Sequence, residues 1–197
     1  MQDQTFGGWE LVILDNSDEP YYKLDPWADR RIRYIHAKCA GVADAYNMAM
    51  RAATGEVIVQ FADDDTLPPD ALEIASGLLG NAQWLVGRTA IYNTDGLITA
   101  YRGGNQESVD RTLAGDYWLG GAIYFRKELG LRVGGYPVEY DGAADFAFYV
   151  RMLREAPPVL TEQVLYQYID WPGTDSRLRA GHQRETGDRI RSEVLNG

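Results

Sequence analysis

Apolar positions in the first half of the chain fall into short runs that switch between strand and helix periodicity. Leu11-Val12-Ile13-Leu14 is aliphatic throughout and stops at Asp15-Asn16-Ser17-Asp18, which predicts a buried parallel strand ending in a polar loop. Arg31-Ile32-Arg33-Tyr34-Ile35 alternates, as a half-buried strand does. From about Gly41 to Thr54, Val42, Ala45, Tyr46, Ala49 and Ala53 fall on one helical face, and Gly55 is placed to end the helix. Val57-Ile58-Val59-Gln60-Phe61-Ala62 predicts a second buried strand running straight into Asp63-Asp64-Asp65. Pro68-Pro69-Asp70 then opens a helix with Leu72, Ile74, Ala75 and Leu78 inward and Gly80 as its stop.

Strand, strand, helix, strand, helix is the order of an α/β domain with a largely parallel sheet. Both acidic clusters then lie at the C-terminal ends of strands, where open α/β sheets bind their ligands. The second half changes character. Ala90-Ile91-Tyr92 and Leu97 to Tyr101 flank the turn Asn93-Thr94-Asp95-Gly96 and predict a hairpin. A strand at Gly121 to Phe125 precedes a short helix from Lys127 to Val133. A longer helix, about Ala143 to Glu155, buries Phe146, Val150 and Leu153 and leads to a strand from Val159 to Tyr168. From Asp175 the tail is polar, with helical tendency and little periodicity. No repeat or linker divides the 197 residues, so one domain is expected.

Composition narrows the chemistry. The net charge of −10, from 29 acidic and 19 basic residues, argues against nucleic acid as partner, because duplex binding neutralises phosphates with Lys and Arg. One bound diphosphate remains compatible, since a divalent cation supplies local positive charge. The single cysteine, Cys39, excludes an internal disulfide and a cysteine-rich zinc site. With His36 and His182 the only histidines, a metal would be held mainly by oxygen, which suits Mg²⁺ or Mn²⁺. No apolar run is long enough to span a membrane, and Met1-Gln2-Asp3-Gln4 does not start like a signal peptide, so a cytoplasmic location is expected.

An aspartate triplet alone is most often a surface loop or a helix cap. Delivered by a buried strand, three adjacent carboxylates would face strong pKa shifts unless a cation joins them. Four stretches then carry a resemblance. Gln4-Thr5-Phe6-Gly7-Gly8-Trp9-Glu10-Leu11 leads into the first strand, and Leu14-Asp15-Asn16-Ser17 follows it. Gly55-Glu56-Val57-Ile58 opens the next strand, with Asn47 in the helix before it, and Ala62 to Leu72 holds the acidic run and a helix start. Together they resemble the nucleotide-binding half of family 2 glycosyltransferases, which have the GT-A fold, a mostly parallel central sheet flanked by helices.

That resemblance implies roles. Asp15, with Asn16 and Asp63, would bind the donor nucleotide, Asp15 accepting a hydrogen bond from the base, most often uracil. Asp64 is the preferred metal ligand, with Asp63 beside it, while Asp65 completes a D-x-D with Asp63 and its role stays open. The donor would be a nucleotide-diphosphate sugar, most often a UDP-sugar, with Mn²⁺ or Mg²⁺. Asp145, opening a helix in Gly142-Ala143-Ala144-Asp145-Phe146, stands where the family has its base, although Ala144 replaces the usual Glu and Asp141 competes. Trp118, Gly120 and Gly121 fall on the acceptor side, as sugar contacts or equally as a packed Trp and turn glycines. Residues about 1–85 would form the donor half, 86–175 the acceptor half and 176–197 a tail.

Two departures qualify the match. By family comparison roughly 25 to 30 residues, a first strand and helix, are expected before Met1, so an N-terminally truncated fold is expected here, whether through a miscalled start, a fragment or a partner segment that fills the gap. A missing central strand would leave unpaired edges and predicts reduced stability or self-association. The family's "Y-R-x-H", whose His completes the metal shell, corresponds to Tyr168-Ile169-Asp170-Trp171, without Arg or His; Asp170 and His182 are candidate substitutes. The expected activity is inverting, metal-dependent transfer of a sugar to a hydroxyl of a glycan, lipid-linked or protein acceptor. A degenerate binding protein is the alternative, and a nucleotidyltransferase a third reading.

Overall fold

The computed structural model describes residues 1–21, 29–174 and 180–195. Strands β1 (Leu11–Asp15) and β2 (Ile32–His36) pair in parallel as a two-stranded sheet of their own. Helix α1 (Val42–Ala52) then crosses to β3 (Val57–Val59), the edge of a second, five-stranded sheet. Further along come α2 (Ala71–Leu79), β4 (Trp84–Tyr92), β5 (Ile98–Gly103), α3 (Gln106–Leu113), β6 (Ile123–Arg126) and α4 (Lys127–Arg132). A 3-10 turn at Val138–Tyr140 precedes α5 (Ala144–Glu155), β7 (Val159–Ile169) and α6 (Ala180–Ile190), which ends in a π-helical turn.

The α/β class agrees with expectation, but the larger sheet is mixed rather than largely parallel. β4 is its spine. It runs parallel to β7 from Leu85 to Tyr92, with the register shifting on both sides of Arg88. Trp84 to Val86 pair antiparallel with β6, and Arg88 to Tyr92 antiparallel with β5, so β6 and β5 share one edge of β4 in succession. The β4–β5 hairpin turns where expected: the Asn93 side chain accepts from the amides of Asp95 and Leu97, and Gly96 takes a φ of 76°. α3, unforeseen from the sequence, starts from a capping box in which Asn105 and Ser108 satisfy each other's amides.

The strands carrying the acidic clusters are less covered than their sequences suggest. β1 is half-buried along its whole length, and β3 stops at Val59 with Val57 40% exposed. Each pairs on one side, β1 with β2 and β3 with β6, and among the described residues neither other edge has a ladder partner. The face of α1 is also rotated from the predicted one. Ala43, Asn47 and Met50 are buried while Val42 is exposed, because Asn47 uses both ends of its amide on Tyr136, donating to its carbonyl at 2.7 Å and accepting from its amide at 2.9 Å. In α2 the buried residues are Ala71, Ala75 and Leu79, and Leu78 faces out.

The main core lies between the β4–β6 face and helices α1 and α5, where Trp84, Phe125, Phe148 and Met152 are fully buried. Each such side chain contributes roughly 1.5–3 kcal/mol by leaving water. A second cluster seats α2 on the other face against Leu85, Tyr124 and Leu165. The C-terminal helix is amphipathic after all: Ile190 packs with Tyr140, Phe146 and Val150. Among the described residues no helix is long and apolar enough to cross a membrane.

Candidate functional site

The lead segment Gln4-Thr5 is where the site begins. The Gln4 side chain accepts from the Leu72 amide at 3.1 Å and donates to the Pro68 carbonyl at 2.6 Å, while Thr5 donates to Glu73 at 2.6 Å. An orphan amide of the α2 N-terminus is thus satisfied from 68 residues away, fixing where the acidic run enters the helix. Between β3 and α2, Asp63 and Asp64 form an exposed turn.

Asp65 points the opposite way. It is 8% exposed, and its carboxylate accepts from the Tyr166 hydroxyl at 2.7 Å and the Ile169 amide at 3.1 Å, both on β7. Burial raises its pKa, the two hydrogen bonds oppose that rise, and the neighbouring charges of Asp64 and Asp63 add to it. Next to it, Thr66 and Gln167 exchange backbone hydrogen bonds at 3.0 and 2.9 Å. The acidic turn is therefore stitched to β7 as well as delivered by β3. Three carboxylates adjacent in sequence become two on the surface and one in the interior.

At the end of β1, Asp15 accepts from the amides of Ser17 at 2.9 Å and Tyr21 at 3.1 Å and from the Tyr34 hydroxyl. Hydrogen bonds from Ser17 and Tyr34 hold its pKa well below the usual carboxylate range. Asn16 accepts from the Cys39 amide at 2.7 Å. Asp15 thus fixes the first residues after β1, and Asn16 ties them to the segment that follows β2.

A cavity of about 150 Å³ opens between the N-terminal ends of α1 and α5, lined by Tyr46, Gln60, Tyr136, Asp141, Asp145 and Gln183 among others. Asp145 sits in the first turn of α5, its Oδ1 2.9 Å from the Phe146 amide. Desolvation raises its pKa, against the lowering effect of the Phe146 amide and the Tyr117 hydroxyl. Asp141 instead lies at the start of α1, accepting from the Ala43 amide at 3.5 Å. Tyr46 links the two regions. Its hydroxyl is pushed up to about 12, first by burial and then by the charges of Asp145, Asp65 and Asp63.

The acceptor-side candidates are tightly packed. Two guanidinium groups lie over the Trp118 indole, Arg111 at 3.6 Å and Arg102 at 5.0 Å from the ring centre. A Cβ on Gly120 would fall 2.6 Å from Thr89 Oγ1, and one on Gly121 would fall 2.8 Å from the Tyr166 ring. These glycines permit close packing of the protein on itself. His182 bonds the Asp141 carbonyl at 2.8 Å, beside the cavity, and Asp170 donates its amide to the Tyr92 carbonyl at 2.8 Å.

Sequence reading missed Tyr34, Tyr46, Tyr166 and Trp171. Trp171 donates its indole N–H to Asp64 Oδ2 at 3.0 Å. A faint signal existed in β7, where the alternation of Tyr166 and Tyr168 puts aromatic rings with polar tips near a strand end. Among the described residues no three His, Cys, Asp or Glu side chains gather as a metal cage. Asp63 and Asp64 are the exposed carboxylates of this turn, and a cation such as Mg²⁺ needs only one or two carboxylates, completing its shell with phosphate oxygens and water.

Several solved structures share this architecture. S. aureus TarS superposes with a TM-score of 0.70 at 18% identity, over 99% of this chain and 36% of TarS. TarS 1-349 in complex with UDP-GlcNAc gives 0.70 at 16% identity, over 99% of this chain and 60% of that one. Mannosyltransferase PcManGT from Pyrobaculum calidifontis, in complex with GDP-Man and Mn²⁺, gives 0.65 at 20% identity, over 100% of this chain and 58% of that one. The chain thus spans between 36% and 60% of the length of these three structures, and the likeness is one of fold, the GT-A fold. No curated protein matches the sequence. The model of glycosyl transferase family 2 matches residues 1–129 of the 197, and the chain belongs to that family.

Proposed function

We propose that the domain binds a nucleotide-diphosphate sugar at the rim formed by β1, β3 and β7 and transfers the sugar, with inversion, to a hydroxyl acceptor. Asp63 and Asp64 hold Mg²⁺ or Mn²⁺, Asp145 is the base, and Asp15 and Asn16 shape the nucleotide side. Asp65 anchors the turn rather than ligating. The acceptor approaches from the side of Trp118, Gly120 and Gly121. One observation supports this reading: Tyr46 lines the same cavity as Asp145, and its hydroxyl feels the charge of Asp145 and of Asp65 and Asp63 at the acidic turn. UDP-GlcNAc in TarS and GDP-Man with Mn²⁺ in PcManGT support the donor class, with a uridine nucleotide the first choice.

In a single displacement the acceptor oxygen attacks the anomeric carbon as it loses its proton, and the Asp145 carboxylate accepts that proton. A base whose pKa is raised toward the working pH transfers protons more effectively. When bound, the cation offsets charge developing on the departing diphosphate. A divalent cation with UDP is expected to raise the melting temperature of the wild type, and Asp64→Ala to remove the rise. The absence of any shift with uridine or guanosine nucleotides would refute the proposal. Tyr168-Ile169-Asp170-Trp171, which stands where the family carries "Y-R-x-H" and has neither the Arg nor the His, motivates a second reading, binding without transfer. It predicts the same thermal shift with donor hydrolysis and transfer at background.

A further inference from the structure

Beyond the end of β7 the chain makes a tight turn that serves one side chain. The Asp170 amide is tied to the Tyr92 carbonyl, and the Thr174 amide donates to the Trp171 carbonyl at 3.1 Å, with Thr174 only 3% exposed. The indole folds back over Gly173 so closely that a Cβ there would lie 2.0 Å from the ring. Held this way, Trp171 remains 42% exposed yet places its N–H 3.0 Å from Asp64 Oδ2, across 107 residues of sequence.

We propose that Trp171 is a positioning residue for the cation site: its indole N–H fixes one oxygen of Asp64 so that the carboxylate meets the cation already oriented. The inference rests on the reading of Asp64 as a cation ligand. Asp64 sits on an exposed turn, where an unrestrained carboxylate samples several rotamers and loses that freedom on binding. Carboxylates that ligate metals are commonly held by a hydrogen bond from a second residue, and removing that partner typically weakens metal binding about 10- to 100-fold. Indole suits the task because it donates and cannot accept, so it holds the carboxylate without competing as a ligand. The close seating over Gly173 brings the ring against the backbone, the kind of contact a preorganised support uses.

The test is calorimetric titration of Mn²⁺ into the UDP-saturated protein. Trp171→Phe, which keeps the ring packing and loses the N–H, is expected to weaken Mn²⁺ binding about 10-fold or more. Gly173→Ala, which keeps the indole and displaces it, is expected to do the same. A readout that a packing role would not move is the indole N–H resonance of Trp171, assigned by its loss in Trp171→Phe. It should shift in Asp64→Asn without ligand and persist, bonded, in the Mg²⁺·UDP complex. Unchanged Mn²⁺ affinity in Trp171→Phe overturns the proposal, and tighter binding does so by making the indole a competitor. Failure of the wild type to bind Mn²⁺ at all would instead remove the cation-site reading and this inference with it.

Discussion

Replacing Tyr166 with Phe isolates the bond that turns Asp65 inward. The ring is 4% exposed and its packing against Gly121 survives the change, so the perturbation is confined to one hydroxyl. That hydroxyl donates to Asp65 Oδ2 at 2.7 Å and accepts from the Ala62 amide at 3.3 Å. A hydrogen bond to a charged group contributes about 1.5–3 kcal/mol, so a loss of about 2 kcal/mol is expected at neutral pH, a fall in melting temperature of about 4–8 °C for a domain of this size. The loss should depend on pH, with a definite sign. Folding raises the pKa of Asp65, so the native state holds this proton more tightly than the unfolded state. Its contribution to stability is then greatest when it is protonated, and declines as pH rises from the unfolded value near ~4 through the raised folded one. Removing the hydroxyl lifts the folded pKa further. The deficit of Tyr166→Phe should therefore grow with pH across that window and flatten above it, shrinking near pH 4 to the roughly 1 kcal/mol of a neutral hydrogen bond. Urea unfolding of both proteins at several pH values measures it. A deficit below about 0.5 kcal/mol, or one independent of pH, would refute the reasoning.

Asp145→Asn should abolish transfer while leaving the melting temperature at neutral pH equal to or above that of the wild type, since it removes a desolvated charge; calorimetry and a transfer assay separate the two effects. Because the base acts ionised, the acidic limb of wild-type kcat/KM should lie above the ordinary carboxylate range, and a limb near pH 4 would exclude Asp145 from that role. Asn47→Ala should cost about 2–4 kcal/mol in denaturant unfolding, because both backbone groups of the buried Tyr136 lose their partner. Gly103→Ala should cost about 3 kcal/mol or more, because a Cβ would fall 2.2 Å from the Leu119 carbonyl oxygen at a φ of 77°.

Much of the element order was legible because local patterns decide it. The aliphatic run at Leu11 to Leu14, the Asn93 to Gly96 turn and the proline-started helix before Gly80 each form where their own periodicity and turn chemistry require. The rotated face of α1 was not legible, since burying Asn47 is favourable only because the Tyr136 backbone is there to satisfy it. Nor was the mixed pairing around β4, which depends on which strands share an edge over long separations.

The same division runs through the site. The sequence by itself determined that carboxylates gather at strand ends in a chain with one cysteine and two histidines, and hence that any metal chemistry is oxygen chemistry. It also identified the family through short stretches whose residues act locally. Tertiary structure alone decided how the aspartates divide: Tyr166 and Ile169, about a hundred residues away, draw Asp65 inside, while Trp171 meets Asp64 on the surface. The physical reason is that a carboxylate's role follows from which donors surround it and how much water it keeps, and those neighbours are supplied by the fold rather than by adjacent residues.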